Sequence, residues 1–99
     1  MNGKLKDSNV DFLFKAVLAL ENIDECYDFF EDLCTVTELK ALSQRIVVAK
    51  MLSDKQVYSE IVSKTGASTA TISRVNRSLN YGYEKIFERI DAAEAEKKD

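Results

Sequence analysis

Histidine and proline are absent from the chain, glycine occurs three times and cysteine twice. Without histidine there is no imidazole base, no histidine-supported nucleophile and no histidine-ligated zinc, and two cysteines cannot form a four-thiolate metal cage. Nor is there a nucleophile paired with a base or a glycine loop that could cradle phosphate, so an enzyme is not expected. No apolar run approaches the roughly 20 residues that cross a bilayer. The start, MNGKLKDSNV, has too little hydrophobic sequence behind it to act as a secretory signal. The expectation is a cytosolic chain with no membrane association. Cys26 and Cys34 fit that compartment, because on one helix their spacing is about 12 Å, too far for a disulfide. They read as reduced packing residues. With no proline, and glycine only at Gly3, Gly66 and Gly82, long stretches carry no breaker, which favours an all-α fold. Ninety-nine residues, 11.2 kDa, leave room for one domain.

The net charge of −3 argues against a general nucleic-acid binder until it is divided along the chain. Residues 1–38 hold three lysines against nine acids, 39–60 four basic residues against two acids, and 84–99 four against six. The window 61–83 holds Lys64, Arg74 and Arg77 and no acid. The one acid-free stretch of any length is thus the positive one, as a phosphate contact requires.

Apolar residues Val10, Leu13, Phe14, Val17, Leu18 and Leu20 predict a first helix capped by Ser8 or Asn9, with Phe12, Ala16 and Ala19 making it apolar nearly all round. Such a helix needs cover on several sides, which an intertwined dimer provides more easily than a small monomer. After the interruption Asn22-Ile23-Asp24, a second helix from Asp24 sets Cys26, Phe29, Phe30 and Leu33 against an acidic face of Glu25, Asp28, Glu31 and Asp32. Thr35-Val36-Thr37-Glu38 is a capping-box pattern. It opens a third helix to about Leu52, whose expected buried set is Leu39, Leu42, Ile46, Ala49 and Met51 or Leu52. Two short helices follow, Val57–Thr65 and Ser68–Leu79. The last helix begins near Tyr83, aligns Tyr83, Ile86, Phe87 and Ile90, and fades into a charged tail, Ala92–Asp99, expected to fray.

The stretch Tyr58–Arg77 has helix-turn-helix spacing. Ile61 and Val62 face inward from the first short helix, Gly66 supplies the positive φ of the turn, and Ala67 is small enough for its inside. Ile72, Val75 and Leu79 point back toward Ile61. On the other face lie Ser68, Thr69, Ala70, Ser73, Arg74 and Arg77, with Thr69, Ser73 and Arg77 at i, i+4, i+8. Short side chains allow close approach to base edges, hydroxyls serve bases or phosphates, and arginines bridge phosphates or fork onto guanine. An ordinary helical hairpin with a Ser/Thr surface would share this spacing. Ser-Thr-Ala-Thr-Ile-Ser is, however, a poor helix former, which a purely structural helix has little reason to use.

Gly66-Ala67-Ser68-Thr69-Ala70-Thr71-Ile72-Ser73-Arg74, followed by Ser78-Leu79, resembles the reading segment of the tryptophan repressor family. Ala41-Leu42-Ser43-Gln44-Arg45-Ile46 resembles that family's third helix. The similarity covers about Phe29 to Leu79, and the length and helix order of the whole chain are similar to the YerC/YecD-like branch of the superfamily. The resemblance implies a six-helix TrpR-like fold and an intertwined homodimer. Residues 8–52 and 83–93 would form the dimer core, 57–79 the mobile DNA-reading head and 94–99 a frayed tail. It places Ser68, Thr69, Ala70 and Ser73 against the operator, with two heads about 34 Å apart on a near-palindromic site. It also implies a ligand set of Thr35, Arg45, Arg74 and Ser78. Val75, though, stands where the repressor has the glycine that leaves room for indole, so no cofactor is expected and a tryptophan corepressor is not expected to fit.

The resulting expectation is a cytoplasmic dimeric transcriptional regulator of double-stranded DNA, a repressor, with its small-molecule effector unidentified. Lys64, Arg77 and helix N-terminal amides would supply phosphate contacts, and Thr69, Ala70, Ser73 and Arg74 would discriminate sequence. The competing reading is a helical dimeric protein-interaction module that does not bind DNA. Three side-chain assignments keep a second reading: Arg45 as the ion partner of Asp32 or Glu31, Lys64 as a charge on a helix dipole, and Tyr58, Tyr81 and Tyr83 as packing residues rather than phosphate donors.

Overall fold

A computed structural model describes residues 6–79 and 81–97, and these form helices with no strand. The helices are α1 (Ser8–Leu18), α2 (Ile23–Leu33), α3 (Val36–Ser53), α4 (Tyr58–Thr65), α5 (Thr69–Arg77) and α6 (Tyr81–Lys97). Their starts are set by polar side chains that take up orphan amides. Asp7, rather than Ser8 or Asn9, caps α1: its Oδ1 accepts from the Val10 amide at 2.7 Å, and Ser8 is already helical. Asn22 Oδ1 accepts from the Glu25 amide at 2.9 Å, so α2 starts at Ile23 instead of Asp24. The expected capping box on α3 is present in both directions. The Glu38 amide donates to the Thr35 hydroxyl at 3.0 Å and the Thr35 amide to the Glu38 carboxylate at 2.8 Å.

The chain divides into two compact units, residues 1–39 and 40–99. The N-terminal unit holds α1 and α2, neither of which buries a residue. Phe12, Leu18, Ile23 and Val36 are all more than 70% exposed. Within α2, Phe29 and Phe30 meet edge to face with centroids 5.3 Å apart, yet among its described residues this unit, with exposed apolar side chains beside many charges, has no core of its own.

The second unit contains the core. Val48, Ala49 and Met51 of α3, Ile61 of α4, Ala67 of the turn, Ile72 and Val75 of α5 and Phe87 of α6 are buried together, with Leu52, Leu79 and Tyr83 packed against them. Burying each of the isoleucines fully contributes about 1.5–3 kcal/mol. The helical hairpin therefore shares one core with the second half of α3 and with α6. This corrects several expected positions. Leu42 and Ile46 are more than 40% exposed and Val48 is fully buried, because the inward face of α3 is set by the helices packed on its C-terminal half. Val62 keeps 37% of its surface exposed, since Ile61 fills the inward position of α4.

At α6 the helix starts at Tyr81 instead of Tyr83 and is continuous to Lys97, through most of the segment expected to fray; residues 98–99 lie outside the described residues. Tyr83 stacks on Phe87 at 5.8 Å. Lys50 lies 5.5 Å above the Phe87 ring and reaches Asp54 at 3.2 Å and Asp91 at 3.3 Å. The hydrogen bond to Asp54 is the main reason that the Lys50 pKa is raised, with Asp91 adding to it. This surface pin ties α3 to α6 but adds little stability beside the buried core.

Candidate nucleic-acid interface

Between α4 and α5 the chain turns at Gly66, whose φ of 72° lies in the left-handed region and whose amide donates to the Val62 carbonyl at 2.9 Å. The Thr65 hydroxyl donates to the Ile61 carbonyl at 2.7 Å and accepts from the Ala67 amide at 3.1 Å. The turn thus satisfies its own polar groups while Ala67 is buried. Ser68 caps α5, accepting from the Thr71 amide at 3.1 Å and donating to the Thr71 hydroxyl at 3.0 Å.

α5 then presents two different faces. Ile72 and Val75 are sealed into the core. Ser68, Thr69, Ala70, Arg74 and Arg77 are exposed, and Ser73 is half-buried between the two faces. No acidic side chain lies between Ile61 and Tyr83, so nothing local cancels the two arginines. A bare, cationic helix face of this kind can enter a major groove closely and donate to bases and phosphates. Lys64 lies exposed in the last turn of α4, its Nζ 3.5 Å from Gln56 Oε1.

A cavity of about 380 Å³ opens between α3 and α5. Ala41, Gln44 and Arg45 line it from one stripe of α3, and Thr71, Arg74, Val75 and Ser78 from another at i, i+3, i+4, i+7 along α5, with Tyr83 completing the wall. The structure therefore brings together Arg45, Arg74 and Ser78. Thr35 belongs to the N-terminal unit, where its hydroxyl serves the capping box. Both salt bridges among the described residues belong to Lys50, so neither arginine of the cavity has a carboxylate partner there. Val75 lines the cavity and is 4% exposed in the core, which holds its branched side chain in place.

Gln44 and Thr71 are not singled out as site residues by the sequence, and Tyr83 is weighed there as a phosphate donor or a packing residue, not as a wall of this cavity. The helical spacing of Ala41-Gln44-Arg45 and Thr71-Arg74-Val75-Ser78 was the available signal, but spacing does not say which two stripes face one another. Of the three tyrosines, Tyr83 packs on Phe87, Tyr81 is 77% exposed and Tyr58 is exposed at the first turn of α4. Cys26 and Cys34 are free thiols. Among the described residues no helix is long and apolar enough to cross a membrane, and no group of three or more potential ligands could hold a metal.

Residues 8–94 match the family model of the Trp repressor protein. The chain is 49% identical over 96 residues to the uncharacterized protein YerC of Bacillus subtilis (strain 168), covering 94% of this chain and 92% of that protein. A TrpR like protein from Eubacterium eligens ATCC 27750 has a similar solved structure, with a TM-score of 0.86 and 59% identity over 91% of this chain and 96% of the other. A solved structure from Staphylococcus aureus gives a TM-score of 0.85 at 53% identity, over 89% of this chain and 91% of that one.

Proposed function

This chain belongs to the Trp repressor protein family, and we propose on that premise that it is a sequence-specific DNA-binding transcriptional repressor acting as a homodimer in the cytoplasm. The observation behind this reading is the division of α5 into a buried side, Ile72 and Val75, and a bare cationic side, Thr69, Ala70, Arg74 and Arg77. Phosphates would be met by Lys64, Arg77 and the amides at the start of α5, and base edges by Thr69, Ala70, Ser73 and Arg74.

A second copy of the chain accounts for the N-terminal unit. Helices that bury nothing yet expose Phe12, Leu18 and Ile23 carry apolar surface that a partner would remove from water. In the proposed dimer, residues 8–52 and 83–93 form the shared core and residues 57–79 the head. The two heads would then read a near-palindromic operator with half-sites about 34 Å apart. The regulator works without tryptophan, because Val75 occupies part of the space an indole would need and is held there by the core.

Selecting bound fragments from the source genome tests the reading. The expected result is enrichment of paired, inverted half-sites one helical turn apart. A protein that enriches nothing, and that passes through heparin and random duplex columns at low salt, would instead be an interaction module.

A further inference from the structure

A second cavity, of about 390 Å³, lies beside the turn that leads into α5. Lys40, Ser43, Gln44 and Val47 reach it from one stripe of α3, Lys64 and Thr65 from the end of α4, and no acid lines it. Its directional donors are already committed within the fold. The Ser43 hydroxyl donates to the Lys40 carbonyl at 2.9 Å, the Gln44 amide to the Thr65 carbonyl at 3.3 Å and the Thr65 hydroxyl to the Ile61 carbonyl at 2.7 Å. What remains to meet a ligand is two ammonium groups, of which that of Lys64 also donates to Gln56 Oε1 at a long 3.5 Å and keeps its other two protons. Neither Lys40 nor Lys64 forms a salt bridge among the described residues.

Two flexible point charges without fixed donors suit an anion whose position shifts along a strand, and not a small anion held by a set of aimed hydrogen bonds. The location fits the same ligand. Thr65 is three residues before the cap Ser68, a span of at most about 11 Å of chain. A duplex whose groove received the start of α5 would carry its bordering phosphates past this edge.

We infer that Lys40 and Lys64 form a phosphate clamp that holds the DNA backbone beside the groove read by α5. This rests on the DNA-binding reading above and adds α3 to the footprint. The clamp contributes affinity and no sequence information, since a backbone phosphate is the same at every position.

The test is fluorescence anisotropy of the full chain on a selected genomic fragment and on random duplex across a salt series. The variants are Lys40→Gln and Lys64→Gln, with Lys97→Gln in the last turn of α6, outside the proposed dimer core and head, as the charge control. Both clamp variants should lose affinity for the two duplexes by the same factor, on the order of 3- to 10-fold, and lower the salt slope by about 1.8 each, since one substitution removes a contact worth about 0.9 from each of the two heads of the dimer. Lys97→Gln should leave the slope unchanged.

If the unaltered chain binds neither duplex, the DNA-binding reading itself fails. If it binds and Lys40→Gln keeps the full slope, or Lys97→Gln lowers the slope equally, the clamp alone is overturned. A rise in melting temperature of the unaltered chain with millimolar inorganic phosphate, lost in both clamp variants, would overturn it in favour of a free-anion site. Matching melting temperatures of variants and unaltered chain in phosphate-free buffer would show that folding is not the cause.

Discussion

Arg45 of α3 and Arg74 of α5 line one cavity from opposite helices, and Val75, next to Arg74 in the chain, forms part of the same wall while buried at 4% exposure. Two guanidinium groups with no carboxylate among the residues that line the cavity create positive potential. The valine decides what can use it. Its side chain belongs to the core, so a ligand cannot displace it without opening the packing around Ile72 and Phe87.

Replacing that side chain should expose the difference. Val75→Gly is expected to cost about 2–4 kcal/mol from the lost packing and the added backbone freedom. It should also give a melting temperature that rises with millimolar tryptophan, whereas the unaltered chain shows no shift. Thermal denaturation with and without the amino acid checks both. A tryptophan-dependent rise in the unaltered chain would show that the indole is accommodated despite the valine.

The exposed row of α5 should separate affinity from selectivity. Arg77→Ala is expected to weaken binding to all sequences alike and to lower the salt slope by about two, about one for each head of the dimer. Thr69→Ala and Ser73→Ala should change the preferred operator, each contact altering discrimination by about 1–3 kcal/mol. Competition binding against a panel of operator variants measures this, and a uniform loss from the Thr69 change would remove it from base reading.

Acid should act on the start of α3. The Thr35 amide, and then the Thr35 hydroxyl, hold the Glu38 carboxyl below its ordinary value. A folded-state pKa below the unfolded one contributes stability that is present above the unfolded value and lost as pH falls through the folded one. Glu38→Gln should therefore flatten the decline in stability on acidification below about pH 4.5, a value near that of a free glutamate. Urea denaturation at a series of pH values gives the comparison. Parallel profiles for the two proteins would mean that the reciprocal cap does not hold in solution.

Gly66 allows backbone conformation to be tested apart from crowding. A Cβ built there meets nothing within 4 Å, but φ is +72°. Gly66→Ala should cost about 1–2 kcal/mol, the penalty of the left-handed region alone. Gly66→Asn should cost less, as asparagine tolerates that region better. Equal stabilities in chemical denaturation would indicate that the turn does not keep its left-handed residue.

The helices and the identity of the hairpin follow from short-range features of the chain. Caps, the single turn glycine and the 3.6-residue period act over a few neighbouring residues, so the capping box at Thr35 and Glu38, the turn at Gly66 and the two faces of α5 were all readable in advance. Cap choice at Asp7 was less so, because Asp, Ser and Asn in a row can each cap and the side chain that reaches an amide wins. Which stripes meet is set by long-range packing: Val48 and not Leu42 is buried in the core of residues 40–99, Arg45 and Arg74 share a cavity, and Lys40 stands with Lys64. Periodicity defines a helix face but not its partner, and that choice is made by the packing of residues far apart in the chain, which local sequence does not encode.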